Sequence, residues 1–285
     1  MQRLTALVFA LLFVPIVGHA QAVDGALKRI KSAKAVAVAY RSDASPFSFV
    51  DEAKQPLGFT IDLCRRVVAN IAQQLGVEGM QIKWVPVTTQ DRIEAVEKGR
   101  ADMECGSTTV TLSRSKQVNF SSYIFVDGTG LLVKAANSAQ RLSDLGGKKI
   151  GVVAGTTNEK ALNDALKRSV INATVVPVKT RDEGLAQFEA GQIDSFASDR
   201  TLLLAMAPKA KDPKSIALLG EDLSFEPYAI VLPRNDDDFR LAVNSALAQI
   251  YRSGDIGGIF KRWFGALGQP GVMLNATYIL GSIPE

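Results

Sequence analysis

An α/β architecture in two lobes, each a mainly parallel sheet flanked by helices, is expected of this 285-residue chain, and three features lead to it. Apolar runs of strand length alternate with helical segments. The alternation starts afresh after Phe125. Two extended segments, near 124–128 and 226–230, are suited to joining the halves as a two-strand hinge. Strands joined through helices favour parallel pairing, because a parallel pair needs a crossover.

The elements follow in order. Ala35 to Tyr40 reads as a strand. Thr60 to Leu75 has Leu63, Val67, Ile71 and Leu75 on one stripe and stops at Gly76, which predicts an amphipathic helix. Gln81 to Pro86 is a strand, Gln90 to Lys98 a helix with Thr89 as its N-cap, and Ala101 to Cys105 a strand. After the restart, 131–134 and 150–154 are strands, and Gly155-Thr156-Thr157 opens a helix through Lys167. Val175 to Val178 and Ser195 to Ser198 are strands around a helix at Arg181 to Glu189. Tyr228 to Leu232 is a last strand before helices at Asp238 to Arg252 and Ile256 to Phe264. The tail after Gly265 reads as a surface wrap. The lobes are expected at 23–125 with 229–285, and at 126–228.

Residues 1–22 have the form of a secretory signal peptide: Arg3, an apolar run from Leu4 to Val17, and small residues at Ala20 and Ala22 offering cleavage points. The run is short for a membrane span. A periplasmic location follows. His19, the one histidine, lies in the segment to be removed, so a mature chain would lack histidine nucleophile partners, bases and metal ligands. Hydrolase chemistry of the Ser-His-Asp kind is thereby disfavoured, and neither metal nor cofactor is expected. The net charge of +4 is spread along the chain, which opposes nucleic-acid binding. In an oxidising compartment Cys64 and Cys105 are expected to bond, since Cys64 lies on the core side of its helix and Cys105 ends a strand such a helix would cover.

Chemistry concentrates at Met103-Glu104-Cys105-Gly106-Ser107-Thr108-Thr109 and at Arg114. Gly106 lets the backbone approach a ligand closely. Ser107 and Thr109 supply acceptors for an ammonium group, and Arg114 a planar fork for a carboxylate. Together they suit a small zwitterion such as an α-amino acid. Arg41 ends the first strand at the edge where open α/β sheets bind ligands. Arg92 stands in a helix's first turn, where the dipole disfavours a cation, and a broken local rule often marks a functional site.

Across some 230 residues the chain resembles the periplasmic amino-acid-binding proteins of ABC importers, family 3 of the solute-binding proteins. The phrases that carry this are Ser45-Pro46-Phe47-Ser48-Phe49, Gly58-Phe59-Thr60-Ile61-Asp62-Leu63, Gly99-Arg100-Ala101-Asp102, Thr111-Leu112-Ser113-Arg114, Asp144-Leu145-Gly146-Gly147-Lys148 and Lys261-Arg262-Trp263-Phe264. Thr88-Thr89-Gln90-Asp91-Arg92-Ile93 and Ile124-Phe125-Val126-Asp127-Gly128-Thr129 are most similar to members that bind glutamate and aspartate. The resemblance implies a type II two-lobe fold, a monomer, L-glutamate or L-aspartate as ligand, and a membrane permease as partner. It assigns the α-carboxylate to Arg114 and Thr157, with Thr156 beside it, and the α-ammonium to Ser107, Thr109 and Asp199. The side-chain carboxylate falls to Arg41, Thr89 and Arg92. Arg181 stands where those members carry a histidine, and would add positive charge or point to solvent.

Plainer readings compete with these. Alone, Arg114 would be a solvated loop charge, Asp199 a helix N-cap, and Gly155-Thr156-Thr157 an ordinary strand–helix turn. Phe47, Phe49, Phe59 and Trp263 are core. Two other functions stay open: a cyclohexadienyl dehydratase-like enzyme, for which Glu104 and Glu226 are the available acids, and a binder of another polar amino acid such as glutamine.

Overall fold

The computed structural model describes residues 25–136 and 139–284. The expected signal peptide, with His19, lies outside them.

The chain begins with α1 (Ala26–Ala33) and β1 (Ala35–Arg41), then β2 (Asp43–Ala44), β3 (Ser48–Val50) and β4 (Pro56–Leu57), which pair as a small antiparallel sheet. Helix α2 (Phe59–Leu75) follows, then β5 (Gln81–Val87), α3 (Arg92–Glu97), β6 (Met103–Glu104) and the long β7 (Asn119–Asp127). β8 (Thr129–Lys134), β9 (Lys149–Val153), α4 (Thr157–Arg168), β10 (Thr174–Val178), α5 (Arg181–Glu189), β11 (Ser195–Asp199), α6 (Arg200–Met206) and β12 (Ile216–Leu218) form the second unit. The chain returns by β13 (Glu226–Leu232) and closes with α7 (Asp237–Arg252), α8 (Asp255–Phe264) and α9 (Val272–Gly281).

Two five-stranded sheets result, ordered β5-β1-β6-β13-β7 and β10-β9-β11-β8-β12. Each is parallel over one half only. β1 pairs in parallel with β5 and β6, and β9 with β10 and β11, whereas β13 runs antiparallel to β6 and β7, and β8 to β11 and β12. The expectation of largely parallel sheets thus meets a mixed pattern. Helical crossovers make the parallel pairs, but the strands that carry the chain out of the first sheet and back lie side by side in opposite senses. β7 and β13 are those strands, and their pairing breaks register on either side of Ala229.

Two smaller expectations change. Helix α3 starts at Arg92, not Gln90, and Thr89 does not cap it: Asp91 Oδ1 accepts the Thr88 amide and hydroxyl at 2.7 Å each, holding that turn out of helix. The tail is not a loose wrap. α9 buries Leu274 and Tyr278 in the first core, and the Tyr278 hydroxyl donates to the Ile124 carbonyl at 3.4 Å.

Aliphatic stripes of α2 and α7 cover the first sheet, with Phe47, Phe59, Phe125, Tyr228 and Phe264 clustered, Phe47 meeting Phe59, Phe125 and Tyr228 edge to face. Burying each such ring contributes about 1.5–3 kcal/mol. Cys64 and Cys105 form a disulfide, Cα atoms 6.4 Å apart, which ties α2 to the end of β6. Closing that loop is worth about 4 kcal/mol in the chain-entropy account.

Candidate functional site

The carboxyl ends of the parallel strands of both sheets point at one another, the place where open α/β sheets present ligand-binding loops. Three contacts close the gap. Asp43, after β1, lies 3.7 Å from Arg181, after β10. Gln90 Nε2, after β5, donates to the Lys179 carbonyl at 3.5 Å. The hydroxyls of Thr109, after β6, and Thr157, opening α4, are 3.3 Å apart.

Three guanidinium groups, two from the first unit and one from the second, gather at one end of the cleft. Arg41 is held by Ser48, whose hydroxyl takes the Arg41 amide at 2.9 Å and donates to its carbonyl at 3.0 Å. Its Nη2 donates to Asp43 Oδ1 at 2.5 Å. Arg92 donates from Nε to the Thr108 hydroxyl at 2.8 Å and from Nη1 to the Thr89 carbonyl. Arg181 donates from Nε to Ser198 Oγ at 3.2 Å and lies 3.5 Å from Asp199. All three are at least 95 % buried. Burial first, then the Arg114 and Arg41 charges, pushes Arg92 down to about 9, which still leaves it cationic at neutral pH. Arg41 is lowered by burial and by Arg181. Glu104 is fully buried, which raises its carboxyl despite Arg92, the Thr108 hydrogen bond and Arg41.

Hydroxyls and acids gather at the other end. Thr109 Oγ1 donates to Glu226 Oε2 at 2.6 Å, and Arg114 Nη1 to the Thr109 carbonyl at 2.7 Å. Asp199 Oδ1 accepts from Asn158 at 3.3 Å. Burial lowers Arg114 from its ordinary value against the pull of Glu226, Glu104 and Asp199. Asp127, at the end of β7, is pushed up to about 7 by burial and by the Asp199 charge. Among the described residues, Arg41 Nε, Ser107 Oγ, Glu104 Oε1 and Arg181 Nη1 are buried without a hydrogen-bond partner. Buried polar atoms are satisfied in the great majority of cases, so four in one place mark a site that expects company.

The contacts above bring Arg41, Thr89, Arg92, Thr109, Arg114, Thr157, Arg181 and Asp199 together, but several of the residues singled out in the sequence do other work. Thr156 spends its hydroxyl on the chain: it caps α4 by accepting the Glu159 amide at 3.2 Å and donates to the Val153 carbonyl at 2.7 Å. Asp199 precedes α6 without capping it, its carboxylate facing Asn158 and Arg181 instead. At Gly106 a Cβ would come within 2.2 Å of Glu104 Oε1, so the close approach this glycine permits is by the chain's own carboxylate. Sequence reasoning missed Asp43 and Asn158. Asp43 lies two residues from Arg41, a spacing that puts side chains on one side of an extended chain.

Residues 36–266 match the family model for bacterial extracellular solute-binding proteins, family 3. The chain belongs to this family. It is 34 % identical over 261 residues to the L-glutamate/L-aspartate-binding protein of Pseudomonas aeruginosa, covering 91 % of this chain and 86 % of that one. It is 32 % identical to the glutamate/aspartate import solute-binding protein of Escherichia coli, covering 87 % and 84 %. Among solved structures, a mutant of ArgBP from T. maritima matches with TM-score 0.73 at 26 % identity, over 84 % of this chain and 99 % of that one. An ancestral amino acid-binding protein, a precursor of cyclohexadienyl dehydratase, gives TM-score 0.73 at 26 % identity, over 84 % and 100 %. Among the described residues no helix is long and apolar enough to cross a membrane, and no cluster of His, Cys, Asp and Glu could hold a metal ion.

Proposed function

We propose that the protein captures L-glutamate or L-aspartate between its lobes in the periplasm and delivers it to the permease of an ABC importer. The observation that carries the choice of ligand is the convergence of Arg41, Arg92 and Arg181, all buried, with Arg41 Nε and Arg181 Nη1 lacking a hydrogen-bond partner. Desolvated guanidinium groups penalise neutral and cationic side chains and reward a carboxylate. The names of the Pseudomonas and Escherichia relatives support the same ligand.

Arg114 with Thr157 takes the α-carboxylate; Ser107, Thr109 and Asp199 take the α-ammonium; Arg41 and Arg92 take the side-chain carboxylate, with Thr89 beside them. The relatives just named are binding proteins rather than enzymes, and the site is read here as one that holds its ligand without converting it. Lobe 1 comprises 23–125 and 229–285, lobe 2 comprises 126–228, and a cleaved signal peptide ends at 22. Exchange of ligand requires the cross-cleft contacts to part, with bending at β7 and β13.

Calorimetric titration of ligand-stripped protein against the common amino acids tests this reading. Glutamate or aspartate should bind most tightly, and preference for glutamine or arginine would overturn it.

A further inference from the structure

We propose that Asp43 is a specificity-determining residue: a carboxylate built into the side-chain subsite that neutralises one guanidinium and so tunes the subsite to a single ligand charge. The proposal rests on the acidic-amino-acid reading above and names the residue that sets how much acid the site accepts.

The geometry is direct. Asp43 Oδ1 accepts from Arg41 Nη2 at 2.5 Å, and Asp43 Oδ2 lies 3.7 Å from Arg181 Nη1. One carboxylate therefore sits between two guanidinium groups from opposite sides of the cleft, and the three side chains carry one net positive charge. The side chains of Arg41 and Arg181 are 3 % and 5 % exposed, and that of Asp43 18 %. Burial drives the Asp43 carboxyl up, but the Arg41 and Arg181 charges outweigh it and hold it below the usual range, so Asp43 is anionic at neutral pH. With Asp43 neutral, Arg41 loses the carboxylate it donates to while Arg181 keeps Asp199 at 3.5 Å, so the cluster gains one unit of positive charge. That arrangement favours a side chain with two negative charges.

The position also allows the substitution. A cavity of about 80 Å³ lies beside Asp43 and Arg181, lined by Ser42, Ser45, Asp182 and Lys209 among others, so an amide at 43 has polar surroundings.

The test compares Asp43→Asn, Arg181→Gln and the double variant with wild type, by calorimetry at pH 8, against glutamate, glutamine and O-phosphoserine. The phosphate is dianionic at that pH, its second pKa being about 6. Asp43→Asn should raise affinity for O-phosphoserine relative to glutamate by at least about tenfold. Arg181→Gln, which leaves Arg41 and Asp43 mutually cancelled, should lower affinity for glutamate relative to glutamine by a similar factor. The double variant restores one net charge and should return both ratios to within about threefold of wild type. An unchanged phosphoserine-to-glutamate ratio in a folded Asp43→Asn protein overturns the proposal, as does a double variant that behaves like Asp43→Asn. If Asp43→Asn does not fold, the Arg181→Gln ratio decides alone, and a ratio equal to wild type overturns it. Wild type that binds no acidic amino acid defeats the functional reading and this inference together. Wild type that binds acids while the ratios stay fixed defeats only the inference.

Discussion

The two sides of the cleft hold their charged groups in different ways. Around Thr109 the groups are tied within the first sheet: Arg114 to the Thr109 carbonyl, and the Thr109 hydroxyl to the Glu226 carboxylate on the return strand. Around Arg41 the groups are tied to one another, through Asp43 and across the gap to Arg181. A feature shared by every α-amino acid suits the rigid side, since groups tied within one sheet have little freedom to readjust. A feature that varies between ligands suits the side made of side chains, where one substitution resets the charge. Recognition of the amino-acid core and selection of its side chain should therefore be separable by mutation.

Arg114→Ala makes the harshest attempt on the rigid side. Removing one partner of a buried charge pair costs about 3–5 kcal/mol, or roughly 10²–10⁴-fold in affinity. The loss should be of similar size for glutamate, glutamine and aspartate, because all share the α-carboxylate. Titration of the variant with glutamate and glutamine checks this, and an unchanged dissociation constant for the best ligand would remove Arg114 from the site.

The disulfide gives a second test. Cys105 stands one residue before Gly106-Ser107, so the Cys64–Cys105 bond anchors the strand end that carries the rigid side. Replacing both cysteines by serine should lower unfolding stability by about 2–4 kcal/mol in a denaturant titration. Affinity should fall for acids and amides together, with their ratio unmoved. A changed ratio would mean that the two sides are mechanically coupled.

Arg92→Ala and Arg41→Ala address the other side. Each should lower the glutamate-to-glutamine affinity ratio by at least about tenfold, or roughly 1.4 kcal/mol, because the acid loses a charge-assisted bond while the amide sheds an unpaired-charge penalty. Paired titrations report the ratio directly. A steady ratio in both variants would take away the physical support for an acidic ligand.

The same contrast governs what could be read from the sequence. β1, β9 and the α2 stripe were legible because apolar period and turn residues are local signals. The antiparallel half of each sheet was not, since it depends on where the crossing strands lie beside distant partners. α9 escaped because Met273, Ile279 and Leu280 leave its outer face apolar, so no helical stripe stands out. In the cleft, Ser107, Thr109 and Arg114 are close in sequence and announce themselves as a group. Asp43 and Asn158 come from separate segments, and their contacts with Arg181 and with Asp199 are a property of the closed fold. Thr156 shows the converse: an anion-binding helix start and a capped one look alike in sequence, and only the hydrogen bonds of the Thr156 hydroxyl reveal the cap.

Asp127 offers the mildest perturbation, and it probes the rigid side through pH. Its carboxylate accepts the Thr201 amide and the Tyr228 hydroxyl, both near 3.3 Å, yet burial and the neighbouring Asp199 charge raise it to about 7. A carboxyl raised in the folded state holds a proton that the unfolded chain has already released. The folded protein then binds more protons between about pH 4 and pH 7, and stability from this group falls as pH rises through that window. Asp127→Asn does not titrate and escapes the loss. Its melting temperature relative to wild type should therefore climb from pH 4.5 to pH 8, by roughly 2–4 °C for each kcal/mol of that loss. A ligand ammonium beside Asp199 would offset the repulsion, so saturating glutamate should shrink the difference at pH 8. Melting curves at the two pH values, with and without glutamate, measure both effects. A difference independent of pH would show that Asp127 is already ionised at pH 4.5. A difference that varies with pH but ignores glutamate would place the ammonium away from Asp199, and the division of labour between the two sides would have to be redrawn.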